Sequence, residues 1–127
     1  MQKIKPSSTA TKEEILKLCK DKDLELDLTN ISQEIKDEIV DIKGGLIDYS
    51  KECSYKKLKL VGGNAYFRSI KSSKGLENLK SIGGNADFSF ITSSEGLENL
   101  KSIGGNADFY SLKSSEGLEN LKSIGGN

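Results

Sequence analysis

Near-identical text recurs in this chain with a constant period of 21: GLENLKSIGGNADF begins at Gly75, returns at Gly96 and returns in part from Gly117. A diverged copy starts at Tyr55, with Leu58, Val61 and Gly62-Gly63-Asn64 standing where the next copy has Leu79, Ile82 and Gly83-Gly84-Asn85. A unit this short cannot bury an apolar face alone, so neighbouring copies must stack and bury it between them. Stacked at the strand spacing of about 4.8 Å, the copies align like with like. The expected core columns are Leu76, Leu97, Leu118; Leu58, Leu79, Leu100, Leu121; Val61, Ile82, Ile103, Ile124; Ala65, Ala86, Ala107; Phe67, Phe88, Phe109; and Ile70, Ile91, Leu112.

Within each copy Asn-Ala-Asp-Phe alternates polar and apolar, the period of a strand with one face inward. The preceding Gly-Gly pair suits a corner where side chains would crowd the neighbouring copy. Gly-Leu-Glu-Asn-Leu predicts a single helical or 3₁₀ turn, capped by the serines before it. Asn64, Asn85, Asn106 and Asn127 form a further column with a structural role, satisfying backbone groups at each corner and pairing side chain to side chain.

Residues 11–54 lack the repeat. Thr11-Lys-Glu-Glu reads as a capping box ahead of a short helix with Ile15, Leu18 and Cys19 on one face, ending near Lys20. Leu24, Leu26 and Leu28 alternate with Glu25 and Asp27 as a short strand. Ser32 is placed to cap a second helix carrying Ile35, Ile39 and Ile42, with Gly44 and Gly45 closing it, and Leu46, Ile47 and Tyr49 follow as a degenerate strand. The expected organisation is therefore an α/β solenoid of parallel β coils over 55–127, a small N-terminal α/β cap over 11–54 and a disordered tail over 1–10.

Composition narrows the function. The 19 basic and 19 acidic residues balance, and the halves differ little: 9 against 12 up to residue 54, then 10 against 7. No clustered basic footprint for direct nucleic-acid binding is evident. No apolar run approaches a membrane span, and Met1 to Lys20 has no secretory h-region, so a cytoplasmic chain is expected. Cys19 and Cys53, without metal-ligand spacing, read as reduced and buried. The absence of His removes the commonest general base, and Asp87 with Asp108 share an outward position by repeat symmetry alone, so no catalytic residue, cofactor or metal is expected.

The text Leu-Glu-Asn-Leu-Lys-Ser-Ile-Gly-Gly-Asn resembles that of bacterial and phage leucine-rich repeat proteins, including the L-domain style in which an Ile-x-Gly-Asn corner precedes each strand. The resemblance covers about residues 55–127 and implies a fold that binds proteins, although Ala and Phe stand where the commonest consensus prefers Leu on the strand.

Repeats explain invariant positions, so variation marks a candidate site. Outward strand positions carry Tyr66 and Arg68, then Asp87, Ser89 and Phe90, then Asp108 and Tyr110, a strip of the type enriched at interfaces. The expectation is a non-catalytic module that binds a protein partner through this strip. Two alternatives stand beside it. One is a phage- or prophage-type, anti-CRISPR-like inhibitor that occludes a nuclease effector of bacterial defence. The other is a self-assembling unit that forms a homo-oligomer through an open C-terminal coil.

Overall fold

The computed structural model describes residues 2–113, 118 and 120–126. The strands are β1 (Gln2–Ile4), β2 (Leu24–Asp27), β3 (Asp41–Ile42), β4 (Gly45–Ile47), β5 (Leu60–Val61), β6 (Ala65–Tyr66), β7 (Ser81–Ile82), β8 (Ala86–Asp87), β9 (Ser102–Ile103), β10 (Ala107–Asp108) and β11 (Ser123–Ile124). They pair in parallel throughout, as a six-stranded sheet β1-β2-β4-β6-β8-β10 and a five-stranded sheet β3-β5-β7-β9-β11. The helical elements among the described residues include α1 (Lys12–Leu18), the single turn α2 (Gln33–Lys36) and a 3₁₀ turn at Lys74–Leu76.

Each of the three copies from Tyr55, Gly75 and Gly96 gives one strand to each sheet, with the glycine corner between them. The corner is built for close approach: a Cβ on Gly83 would lie 2.2 Å from the Gly62 carbonyl oxygen, and one on Gly104 2.1 Å from that of Gly83. Such contacts exclude any side chain. Beside them the asparagine column satisfies backbone groups at each corner, as expected. Asn64 Oδ1 accepts the Asn85 backbone N–H at 2.8 Å and Asn85 Oδ1 accepts that of Asn106 at 2.8 Å. Asn127 lies outside the described residues.

A second asparagine column emerges on the turn side. Asn99 Nδ2 donates to the Glu77 carbonyl and Asn120 Nδ2 to that of Glu98, both at 2.7 Å. The serine before the 3₁₀ turn, Ser73, does not cap it by side chain. Its Oγ instead donates across to the Glu95 carbonyl at 2.7 Å, satisfying a buried hydroxyl between units.

The apolar columns form the core. Phe67, Phe88 and Phe109 stack with ring centroids 5.5 Å apart and planes 11° apart, and Phe67 and Phe88 are fully buried. Burying each such ring contributes about 2 to 3 kcal/mol. Ala107, Phe109, Leu112, Leu118 and Leu121 are half-buried and Ile124 is exposed.

The N-terminal third departs from expectation in two places. Gln2–Ile4 is not a free tail: it pairs in register with Leu24–Leu26 as the first strand of the six-stranded sheet, placing Ile4 in the Leu26, Leu46, Ala65 column. The second helix stops after one turn, with Ser32 Oγ accepting the Ile35 N–H. Ile42 belongs to β3, opposite Val61, and Gly44 sits at a corner with Gly63 stacked on it, the Gly63 N–H donating to its carbonyl at 2.8 Å. Pairing with the next unit outweighs the helical spacing of Ile35, Ile39 and Ile42, because strand registry satisfies backbone groups and buries Ile39 and Ile42 completely. The segment read as a cap thus carries the same strand–corner–strand pattern as the repeats.

Candidate interaction surface

Strand register decides which variable residues meet. On the outer face of the six-stranded sheet Ile47, Tyr66, Asp87 and Asp108 are successive partners, forming one column. Two positions further on, just past the strand ends, lie Tyr49, Arg68, Ser89 and Tyr110. Backbone bonds from Asp48 N–H to Tyr66, Phe67 N–H to Asp87 and Phe88 N–H to Asp108 carry the ladder up to them.

The aspartates end their strands. Asp87 Oδ1 accepts the Ser89 N–H at 3.1 Å and Asp108 Oδ1 the Tyr110 N–H at 3.0 Å, and Asp27 Oδ1 takes the Thr29 N–H in the same way. A short side chain bonding its own backbone two positions on favours a turn at that point. Asp87 is further engaged by Arg68, whose Nε donates to Oδ2 at 3.0 Å, and it is only 9% exposed. The expected open strip therefore has a covered centre. Tyr66 and Ser89 are half-buried, whereas Arg68, Phe90, Asp108 and Tyr110 are exposed.

The Asp87 carboxylate, through its hydrogen bond first and its charge second, raises the pKa of the Arg68 guanidinium further, with smaller contributions from Tyr49 and Asp108. The Arg68 side chain itself stays largely exposed beside Asp87. Among the described residues five large apolar side chains remain substantially exposed, and three of them, Tyr49 (42%), Phe90 (55%) and Tyr110 (90%), lie at this rim. A planar cation and exposed aromatic side chains at the end of one row of strands offer hydrogen bonding and apolar contact to a partner.

Tyr49 was outside the strip read from the sequence. Its step to Arg68 falls two positions short of the repeat period, because Ile47 pairs with Tyr66 across a unit shorter than the one that sets Tyr66 opposite Asp87. A search for outward aromatics allowing a shifted period finds it. Both cysteines are free, but Cys53 is half-buried rather than buried, since it lines a cleft.

Among the described residues no group of three or more Cys, Asp or Glu is placed to hold a metal ion, and no helix is long and apolar enough to cross a membrane. Comparison with protein-family models, curated proteins and solved structures finds no match to this chain.

Proposed function

We propose that the chain is an open, leucine-rich-type β solenoid whose six-stranded face is a non-catalytic protein-binding surface. The observation that carries this reading is that the exposed aromatic side chains Tyr49, Phe90 and Tyr110 and the paired Arg68 and Asp87 all fall at the end of the same row of strands, on a face whose other outward positions are polar or covered. Aromatic and arginine side chains of this kind dominate binding energy at interfaces. Aromatic side chains have few rotatable bonds, so ordering them on binding costs little for the area they bury. The bound partner class would be a protein, a nuclease effector among the candidates.

Affinity capture from host lysate with the full chain, beside a Phe90→Ala, Tyr110→Ala variant, tests it. These two side chains are largely solvent-exposed, so the fold should survive their loss. A stoichiometric protein retained by the wild type and lost by the variant supports the surface; equal capture by both refutes it. If the partner is a nuclease, loss of its cleavage on adding the wild type but not the variant supports inhibition by occlusion.

A further inference from the structure

The connections leading from the six-stranded sheet to the five-stranded sheet are unequal. Those from Ala65 to Ile82, Ala86 to Ile103 and Ala107 to Ile124 match in length, whereas Leu26 to Ile42 is shorter by one position and Leu46 to Val61 by two. Equivalent positions on stacked strands need equivalent lengths of chain to keep neighbours flush, and the Leu46 to Val61 connection is the shortest. It carries Lys51, Glu52, Cys53 and Ser54, and a cleft of about 810 Å³ opens over it, closed on its far side by Lys71, Ser72, Lys74 and Gly75. That volume lies within the range of small-molecule sites.

The lining is cationic. Lys51 and Lys71 are in no ion pair among the described residues, and Lys74 shares an exposed contact of 3.7 Å with Glu95. Glu52 is the one acidic side chain of the lining among the described residues, and the nearby Asp48 is matched at 2.7 Å by Lys36. Cys53 forms an uncharged wall: burial first, then the charge of Asp48, pushes its thiol up to about 12. Ser72 Oγ accepts the Lys74 backbone N–H at 3.2 Å, leaving its own proton to donate. Three ammonium groups act as separate point charges, suited to a phosphate with several oxygens, whereas a planar carboxylate is better held by the fork of an arginine, which this lining lacks.

We propose that this cleft binds a small phosphomonoester, its phosphate among Lys51, Lys71 and Lys74 and its organic body against Cys53 and Gly75. The site stands independently of the aromatic rim. Amide NMR of the full chain, titrated separately with adenosine monophosphate and with inorganic phosphate, tests it against two variants. Lys51→Gln, Lys71→Gln, Lys74→Gln strips the cleft; Lys80→Gln, Lys101→Gln, Lys122→Gln removes equal charge from exposed positions at the edge of the five-stranded sheet. The expected result is saturable nucleotide-induced shifts at Ser54, Ser72 and Gly75, with affinity weakened about tenfold or more in the cleft variant and little changed in the other. Equal weakening in both variants, or shifts that never saturate, overturns the site. Inorganic phosphate binding as tightly as the nucleotide overturns the assignment of an organic body.

Discussion

Phe67, Phe88 and Phe109 repeat one contact along the stack, whereas the same column one unit earlier holds Asp48, the residue after the Ile47–Tyr66 pair. Asp48 is completely buried. Its Oδ2 meets Lys36 Nζ at 2.7 Å and the Tyr55 hydroxyl at 2.6 Å, its Oδ1 accepts the Ser50 N–H at 2.9 Å, and the Tyr55 ring packs edge-on to Phe67 at 5.9 Å. Columns of like residues are indifferent to a slip of one whole unit, since Phe meets Phe and Asn meets Asn after the shift. The Lys36, Asp48 and Tyr55 cluster is satisfied in one register only. The comparison teaches that the repeats supply cohesion and the N-terminal units supply uniqueness, a role for which buried polar clusters are better suited than for net stability.

The hardest test removes one charge. Lys36→Met should destabilise the fold by about 3 to 5 kcal/mol, because it strands a buried carboxylate, while the Lys36→Met, Asp48→Leu, Tyr55→Phe triple variant should recover most of that loss. Chemical denaturation midpoints check both. If the triple variant is as unstable as the single one, the cluster is a source of stability and not of register. The acid side follows from the same group. Burial raises the Asp48 pKa, but the hydrogen bonds from Lys36, Ser50 and Tyr55 outweigh it and hold the group below its ordinary 3.8. Its contribution is present above pH 3.8 and is lost as the pH falls towards the lower folded value.

Legibility in the sequence divides along the same line. A constant period aligns Leu79 on Leu100 and Phe88 on Phe109 without any knowledge of structure, and each of these except Phe109 is fully buried. Upstream the spacing drifts: Leu26 to its partner Leu46 is one position short of that period and Leu46 to Ala65 is two short, so no single period exposes the pattern. There the spacing of Ile35, Ile39 and Ile42 mimicked one face of a helix, and the polar Gln2 and Lys3 concealed a strand. Lys36 and Asp48 were invisible as partners, because a buried ion pair between separate elements leaves no periodic trace. For the rim, Arg68, Phe90 and Tyr110 were legible as variation on a repeat, whereas the covering of Asp87 depends on a side-chain contact that spacing alone does not specify.

Glycine corners sharpen the contrast. Gly83→Ala forces a Cβ to 2.2 Å from backbone oxygen that cannot move without displacing the next corner, and a loss of about 3 kcal/mol is expected. The N-terminal units have a corner as tight at Gly44, whose Cβ would lie 1.9 Å from the Leu24 carbonyl oxygen. At Gly45, however, where the repeats carry asparagine, Gly45→Ala would meet Glu25 Cγ at 3.1 Å and its carboxylate at 3.3 Å, the far end of a flexible side chain, and the Asn64 carbonyl at 3.4 Å. Its expected cost is about 1 kcal/mol or less. Thermal or denaturant unfolding of the two variants side by side checks the difference. Equal losses would show that Glu25 cannot give way and that the asparagine position of the N-terminal units is as crowded as a glycine corner.

Alkaline pH separates the regions by chemistry instead of shape. Burial, and then the neighbouring Asp48 carboxylate, keeps the Tyr55 phenol protonated well above its ordinary 10.0, and burial pushes the Cys19 thiol from 9.0 up to about 12. Both groups hold a proton in the folded state that the unfolded chain releases. Their stabilisation is complete below pH 9 to 10 and is lost as the pH rises, at about 1.4 kcal/mol per pH unit for each group. Tyr55→Phe should therefore flatten the decline above pH 10 by one proton while leaving the onset near pH 9, set by Cys19 and Cys53, in place. Unfolding free energies measured across the alkaline range, from below the thiol onset to above the phenol's ordinary value, read this slope. An unchanged slope in Tyr55→Phe would mean that the phenol titrates alike in folded and unfolded chains, and that the cluster opens to solvent before the repeats do.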